Sequence, residues 1–197
     1  MKITALVENT TAGKDLEKQH GLSLYVETKK HKLLVDMGNK DIFLKNAKRL
    51  GIDISAIDTA IITHGHFDHA GGLKHFLQAN DKAKVFIQKS AFTPHYINVL
   101  GLKINIGADK QFETHKQITL VDGDLRIDNE LMLITNPQSK ELLPKQTMLL
   151  KKENGKYLQD DFAHEQSVII TDNKTLLISG CSHRGIVNIL ETAKKSR

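Results

Sequence analysis

The feature that most constrains this chain is a loop in which four metal-competent side chains occupy six consecutive positions. The loop reads His64-Gly65-His66-Phe67-Asp68-His69 and directly follows the apolar segment 61–63. Because the end of a strand is rigid and alternate loop residues can point the same way, His64 and His66 can share one ion. The pair Asp68-His69 can then turn toward a second ion. Imidazole with carboxylate suits zinc first, and also manganese or iron, so the sequence predicts one or two divalent metal ions.

The alternative interpretation of this segment is a polar surface loop. A lone histidine usually fits that description, but this density of ligands directly after an apolar strand favours metal binding. Gly65 and the run Ala70-Gly71-Gly72 also supply small residues that let the backbone fold tightly around an ion.

Strand and helix patterns alternate around the loop. The first half predicts strands at 3–7, 22–28, 32–36, 58–63 and 84–88, with helices at 41–50 and 73–79. The second half predicts a short helix near 91–100, strands at 117–121, 130–135, 167–171 and 175–179, and a helix at 185–195. Residues 136–163 are expected to form a polar connection with a hairpin at Asn154-Gly155. This order predicts an α/β fold of two stacked sheets flanked by helices, in one domain over residues 1–197.

Composition narrows the class of protein only modestly. The net charge of +5 comes from dispersed lysines, which either form a solvated surface or attract an anionic substrate. A single cysteine, Cys181, excludes an intrachain disulfide and is compatible with a reducing cytosol. The N-terminus carries no apolar signal core, and no apolar run approaches the roughly 20 residues of a membrane span. The expected protein is cytoplasmic, without a membrane partner.

The histidine loop resembles the His-x-His-x-Asp-His signature of the metallo-β-lactamase superfamily. The resemblance implies an αββα sandwich with two stacked mixed sheets and metals at the sheet edge. The segment 35–38, Val-Asp-Met-Gly, is similar to the superfamily's Asp-x-Gly turn, and Asp36 would then orient a metal ligand. Asp36 is otherwise simply part of a turn. His66 stands where flavo-di-iron relatives carry Glu, and His69 is the residue that true β-lactamases usually alter, so the match favours the hydrolytic dinuclear branch.

A second block, residues 179–189, resembles a branch of metal-dependent hydrolases described as dihydropterin-ribofuranosyl-aminobenzene-phosphate synthase-like. The segment 19–23 is similar to an early motif of that branch. By position, His164 would be the third ligand beside the first two motif histidines. Cys181 stands where the superfamily usually has a bridging Asp, and is alternatively a small buried residue at a tight turn. His183 would face the metals as a ligand or proton donor.

The remaining histidines are expected to be surface or structural residues, although two could line the site. Those two are His20 and His95, and the others are His31, His75 and His115.

Relatives in this branch usually continue past the second block, with a late histidine that helps to bind a second metal. This chain stops at Arg197, which predicts a C-terminally short sandwich and leaves open whether one or two ions bind. A partly uncovered second sheet would favour a homodimer.

The activity expected from these features is hydrolysis of an ester or phosphoester by a metal-activated water. Asp68 would orient that water, and His183 would protonate the leaving group or contact the substrate. The basic charge balance favours a small phosphorylated substrate. A nuclease is one alternative, but no basic stretch interleaved with aromatic residues supports a nucleic-acid partner. A non-catalytic metal-binding or regulatory module is the other alternative.

Overall fold

The computed structural model describes residues 1–11, 13–137 and 141–196. Within these residues the chain forms fourteen strands and four α-helices. In chain order they are β1 (Lys2–Val7), β2 (Ser23–Glu27), β3 (Lys32–Val35), α1 (Ile42–Arg49), β4 (Thr59–Ile62), α2 (Phe67–Ala70), α3 (Leu73–Ala79), β5 (Lys84–Gln88), β6 (His95–Val99), β7 (Leu102–Asn105), β8 (Ile118–Val121), β9 (Leu125–Arg126), β10 (Leu131–Thr135), β11 (Leu149–Glu153), β12 (Lys156–Gln159), β13 (Gln166–Thr171), β14 (Thr175–Ile178) and α4 (Ile186–Lys195).

The first sheet carries the histidine loop at the end of a central strand. Its order is β1-β2-β3-β4-β5-β8, antiparallel from β1 to β3 and parallel from β3 to β8. All four residues of β4 are buried, as expected for a parallel strand covered on both faces. Ala60 and Ile62 pack into the core beneath the helices with Phe43 and Phe76, while Ile61 faces the second sheet. This alternation fixes the direction in which the chain leaves the sheet at position 63.

The second sheet stacks against the first and carries α4 on its outer face. Its order is β14-β13-β10-β9, and the apolar layer between the sheets includes Leu33, Ile61, Leu133 and Val168. A separate apolar cluster packs Ile189 of α4 against the outer face. The helix–sheet–sheet–helix order confirms the predicted αββα sandwich. The expectation of two mixed sheets was wrong for this one, because every described strand pair in it is antiparallel.

A third sheet, of order β12-β11-β6-β7, was not predicted. The helix expected near 91–100 was wrong: Lys89–Phe92 forms a short 3₁₀ helix, and β6 follows. Pro94 disfavours helical backbone at the residue before it, and Tyr, Ile and Val in β6 favour a strand. The predicted hairpin at Asn154-Gly155 is confirmed, with φ of 49° and 78°, and it joins β11 to β12 in this sheet.

The histidine loop is held tightly between the first sheet and its neighbours. A Cβ atom on Gly65 would lie 2.4 Å from the backbone oxygen of Ala91, and one on Gly72 would lie 2.2 Å from that of Met37. The third sheet reaches the loop through a hydrogen bond from Phe67 N to Ile106 O of 2.8 Å. Glycine is therefore required at both positions, and the new sheet forms one side of the site. No helix in the described part of the chain is long and apolar enough to cross a membrane.

Candidate metal centre

Three segments bring histidines together at one edge of the two sheets. His64 and His66 follow β4, His164 precedes β13, and His183 follows β14. The ring centroids of His64 and His66 lie 4.8 Å apart, those of His66 and His164 5.0 Å, and those of His64 and His183 5.0 Å. The ring of His69 lies 4.2 Å from that of His64. The fold thus gathers histidines that are more than 100 residues apart in the chain.

Three of these histidines, His64, His66 and His183, have a buried Nε2 atom with no hydrogen-bond partner among the described residues. Leaving a buried polar atom unpaired costs about 1–3 kcal/mol, so three in one cluster indicate a missing electrophilic partner. Burial lowers the pKa of His66 to about 2 and that of His183 to about 4, and both are neutral at pH 7. Neutral imidazole is the form that binds a metal, so the donor set fits a cation.

Asp36 orients two of the motif histidines through one hydrogen-bond network. Its carboxylate is fully buried and accepts from Thr63 N at 2.7 Å, Thr63 Oγ1 at 2.8 Å and His69 Nδ1 at 2.6 Å. Because the Thr63 hydroxyl donates to Asp36, its oxygen is free to accept from His64 Nδ1, 3.1 Å away. Both imidazoles therefore present Nε2 to the cluster. This geometry matches the orienting role predicted for Asp36 and is not that of a simple turn residue.

His69 carries a positive charge between two potential ligands. Burial opposes that charge, but the Asp36 carboxylate outweighs burial and raises the pKa of His69 to about 12. His69 Nε2 lies 3.4 Å from Asp68 Oδ2 and 3.3 Å from Cys181 Sγ. Cys181 is exposed, so the alternative of a small buried residue does not describe it. The proton on His69 Nε2 therefore points toward the Asp68 carboxylate and the Cys181 thiol, and a bound cation would contact the same two groups.

His183 is oriented by contacts with residues that could not be identified from the sequence. Gln146 Nε2 donates to the backbone oxygen of His183 at 2.9 Å, so its Oε1 must be the atom that accepts from His183 Nδ1. Glu165 accepts from the backbone N–H groups of His183 and Arg184 at 2.7 and 2.8 Å. The ring also stacks on Phe162, with centroids 4.5 Å apart. His183 Nε2 is consequently unprotonated and directed into the cluster.

Asp160 and His95 extend the cluster behind His164. Asp160 Oδ2 lies 2.8 Å from His95 Nδ1 and 3.5 Å from His164 Nε2, while His164 Nδ1 accepts from Gly65 N at 2.9 Å. Burial opposes ionisation of Asp160, but these two histidines hold the pKa of its carboxyl well below the usual range. Asp160 lies in the segment expected to be a polar connection, where no motif spacing could have indicated it.

In the part of the chain that the structure describes, the potential ligand atoms form three groups, each with all members within 4.8 Å of one another. The groups are His64, His66 and His183; His64, His69 and Cys181; and His66, His95, Asp160 and His164. Asp68 stands at the edge of the second group, and its Oδ2 lies 3.4 Å from both His69 Nε2 and His20 Nε2. All seven residues predicted as ligands are thus brought to one place. His20 and His95, the two remaining histidines that could line the site, also lie there.

Two cavities meet at His183. The first, of about 560 Å³, is lined by His20, His66, Phe67, Asp68, Ile97, Ile104, Asn105, Ile106, Leu149, Cys181 and His183. The second, of about 500 Å³, lies on the other side of His183 and includes Arg184 and Phe162. Both volumes fall in the range of small-molecule sites. The first cavity opens directly onto the potential metal ligands.

An αββα sandwich with a histidine-rich ligand cluster at the sheet edge defines a protein with the metallo-β-lactamase fold. The model of the metallo-beta-lactamase superfamily matches residues 17–136, which is more than half of the chain. The chain belongs to this superfamily.

Relatives of the chain include two proteins of Methanocaldococcus jannaschii. An uncharacterized protein is 30% identical over 200 residues, with 98% of this chain and 74% of that protein covered. The second is named 7,8-dihydropterin-6-methyl-4-(beta-D-ribofuranosyl)-aminobenzene-5'-phosphate synthase and is 28% identical over 193 residues, with 90% and 66% covered. The chain therefore spans slightly less than two thirds of this synthase.

Solved structures agree with the fold. Tm1679, described as a metal-dependent hydrolase of the beta-lactamase superfamily, matches with a TM-score of 0.80 and 30% identity over 99% of this chain and 71% of that one. A quorum-quenching N-acyl homoserine lactone lactonase matches with a TM-score of 0.55 and 16% identity over 88% and 73%. The lactonase supports the shared fold alone, whereas Tm1679 also shares a substantial part of the sequence.

Proposed function

We propose that the protein is a metal-dependent hydrolase that cleaves an ester-type bond of a small molecule. The observation that carries this proposal is the set of buried, unpartnered imidazole Nε2 atoms beside a cavity of ligand size. The names of relatives point the same way only in part, since one is a hydrolase and another a synthase.

One or two divalent ions, with zinc as the first candidate, would be held by the groups described above. His64, His66 and His183 offer three protein ligands, which leaves a coordination position open as a catalytic site requires. His69, Cys181 and the adjacent Asp68 would serve a second ion. A divalent cation bound there would lower the pKa of water and stabilise the negative charge that develops during the reaction.

The chain's own residues would place the water and carry its proton. Burial raises the pKa of Asp68 but its hydrogen bond to His69 lowers it further, so Asp68 is ionised at neutral pH. Its Oδ2 can accept a hydrogen bond from water at the cavity edge. Hydrolysis would form a bond between the water oxygen and the acyl carbon and break the bond between the acyl carbon and the leaving oxygen. One proton of the water passes to that leaving oxygen, and Asp68 is the group placed to carry it. His183, neutral with an unprotonated Nε2, fits a ligand better than the proton donor considered from sequence.

One observation favours a second candidate function, a non-catalytic metal-binding module. His66, His95, Asp160 and His164 are all buried and offer four ligand atoms, the number that closes a structural zinc site. An ion held by these four would leave no position for water.

A nuclease gains less support. Tyr96, Tyr157, Lys103 and Lys152 share one face of the third sheet, with both lysines about 5 Å from the Tyr157 ring centroid. Alternate residues of a strand point to opposite faces, and it is the neighbouring Ile97 and Ile104 that line the cavity. A nucleic acid stacked on this basic, aromatic face would lie on the side of the sheet turned away from the ligand cluster.

The deciding experiment combines elemental analysis with turnover. Metal content per chain is measured together with hydrolysis of an aryl ester, a thioester and a phosphodiester, before and after chelation. The proposal expects metal-dependent turnover that Asp68→Ala abolishes and that Asp81→Ala, on an exposed turn, leaves intact. One tightly held ion without turnover, lost in His95→Ala, would establish the closed structural site instead.

A further inference from the structure

The cavity beside the candidate metal centre has two chemically different walls. One wall carries potential ligands, and another wall is apolar and comes from the third sheet. The apolar wall consists of Ile97 on β6, Ile104 on β7 and Leu149 on β11, and Phe67 and Ile106 also line the cavity.

The strand register places the apolar residues side by side. Ile97 pairs with Ile104 on one neighbour and with Leu149 on the other, so all three point to the same face. Two residues further along β6, Val99 pairs with Leu102 on that same face. Val99 is 42% exposed and Leu102 71% exposed. The apolar wall therefore continues as an open strip that leads away from the ligand cluster.

Apart from a metal ion at the ligand cluster, the cavity offers no positively charged group that would bind a phosphate. Among the described residues that line it, none is Lys or Arg, and Asp68 contributes a negative charge. Arg184 lines the other cavity, beyond His183. The lysines and arginines that give the chain its net charge of +5 therefore contribute no side chain to this wall, and an uncharged group is favoured there.

We propose that this strip binds an elongated apolar group of the substrate, of the acyl-chain type, while the bond to be cleaved lies at the ligand cluster. The inference rests on the proposed hydrolase function and names its substrate class. Its support is continuity: the same cavity includes the apolar residues Ile97, Ile104 and Leu149 and the potential ligands His66 and Cys181. An apolar chain along the strip would cover apolar side chains that are now exposed to solvent. Burial of this apolar surface is the main source of affinity for such a group.

The test uses 4-nitrophenyl acetate, butyrate and octanoate as substrates, with 4-nitrophenyl phosphate for comparison. The metal-loaded protein is expected to show kcat/KM rising by about tenfold or more from acetate to octanoate, since each added methylene finds apolar surface. Ile104→Asp should remove this preference. Leu158→Asp is the matched control. Leu158 lies on the same sheet and is 43% exposed, compared with 52% for Ile104, but it is not among the cavity residues named above.

Separate outcomes distinguish the strip from the hydrolase proposal. Ester hydrolysis with equal kcat/KM for all chain lengths would overturn the strip and leave the hydrolase standing. If no ester is hydrolysed, octanamide binding is measured by displacement of a fluorescent apolar probe. Binding that Ile104→Asp abolishes and Leu158→Asp keeps would support the strip alone, and no binding would overturn it. A dimer that Ile104→Asp dissociates, without any chain-length effect, would assign the strip to a second copy and overturn the substrate assignment.

Discussion

Asp36 accepts a hydrogen bond from His69 Nδ1 at 2.6 Å, and through Thr63 the same carboxylate also orients His64. Asp36 itself adopts a φ of 60°, which places a fully buried carboxylate at the end of β3 beneath the histidine loop. One residue from another strand therefore sets the direction of two potential ligands. The ligand geometry depends on this contact as much as on the histidines themselves.

Replacing Asp36 with Asn should weaken metal binding without removing a ligand. An amide has one acceptor oxygen where the carboxylate has two, and its NH₂ group would face a donor. We expect metal affinity to fall about 10- to 100-fold, as for other residues that support metal ligands. Competition with a chromophoric chelator measures the change, with Asp81→Asn as the control on an exposed turn. Unchanged affinity in a folded Asp36→Asn protein would contradict the orienting role.

Gly180→Ala tests the same network from the opposite side. A Cβ atom there would lie 2.2 Å from Thr63 Oγ1 and 3.3 Å from His64 Nδ1, so Thr63 must move away from Asp36. We expect a loss of stability of about 1–3 kcal/mol, typical of overpacking, together with reduced metal content. Gly13→Ala is the control, since its Cβ would meet Leu16 at an ordinary 3.5 Å. Equal metal content in the two variants would show that the network tolerates displacement of Thr63.

The local part of the site could be predicted from the sequence because its residues are close together in the chain. The loop 64–69 follows an apolar strand, and this order fixes both the strand and the ligands. Gln146, Asp160 and Glu165 could not be identified in this way. They reach the cluster from loops whose paths depend on the packing of the second and third sheets. The hydrophobic periodicity of the sequence reports local structure and contains no information about that packing.

The same reasoning explains the errors in the fold. Helices α1 and α3 were predicted within one residue because their apolar faces and end signals agree. In the segment 91–100 these two signals do not agree, because its apolar residues fit both the helical period and the strand period. Pro94 and the turn at Leu100-Gly101 favour a hairpin there. The third sheet depends on pairing between β6 and β11, which are about 50 residues apart.

Removal of metal should destabilise the protein strongly. A ligand that binds only the folded state at about 1,000 times its Kd adds about 4 kcal/mol, which corresponds to roughly 10 °C in Tm for a chain of this size. Calorimetry before and after chelation measures the shift. His66→Ala should abolish most of it, while His75→Ala, which replaces a histidine of α3 outside the ligand groups, should keep it. A Tm insensitive to chelation in the wild-type protein would argue against occupancy of the cluster.

His31 joins three segments far from the metal centre. Its Nδ1 lies 2.8 Å from Asp58 Oδ1, and its Nε2 lies 2.6 Å from Asp128 Oδ2. Burial opposes the imidazolium charge, but the two carboxylates outweigh burial and raise the pKa of His31. Burial raises the pKa of Asp128, and its hydrogen bond to His31, with others, lowers it further. The contact is thus structural, as expected for this histidine, and strongest when all three groups are charged.

Stability should therefore depend on pH through His31 with a definite sign. A histidine whose pKa is raised on folding stabilises the native state below its unfolded pKa of about 6.5, and this contribution is lost as pH rises through the folded value. The contribution of Asp128 is lost at the acid end, as pH falls below about 4. Urea unfolding should show that His31→Gln costs more stability at about pH 5.5 than at about pH 9. An equal cost of His31→Gln at both pH values would mean that the imidazolium charge does not stabilise the fold.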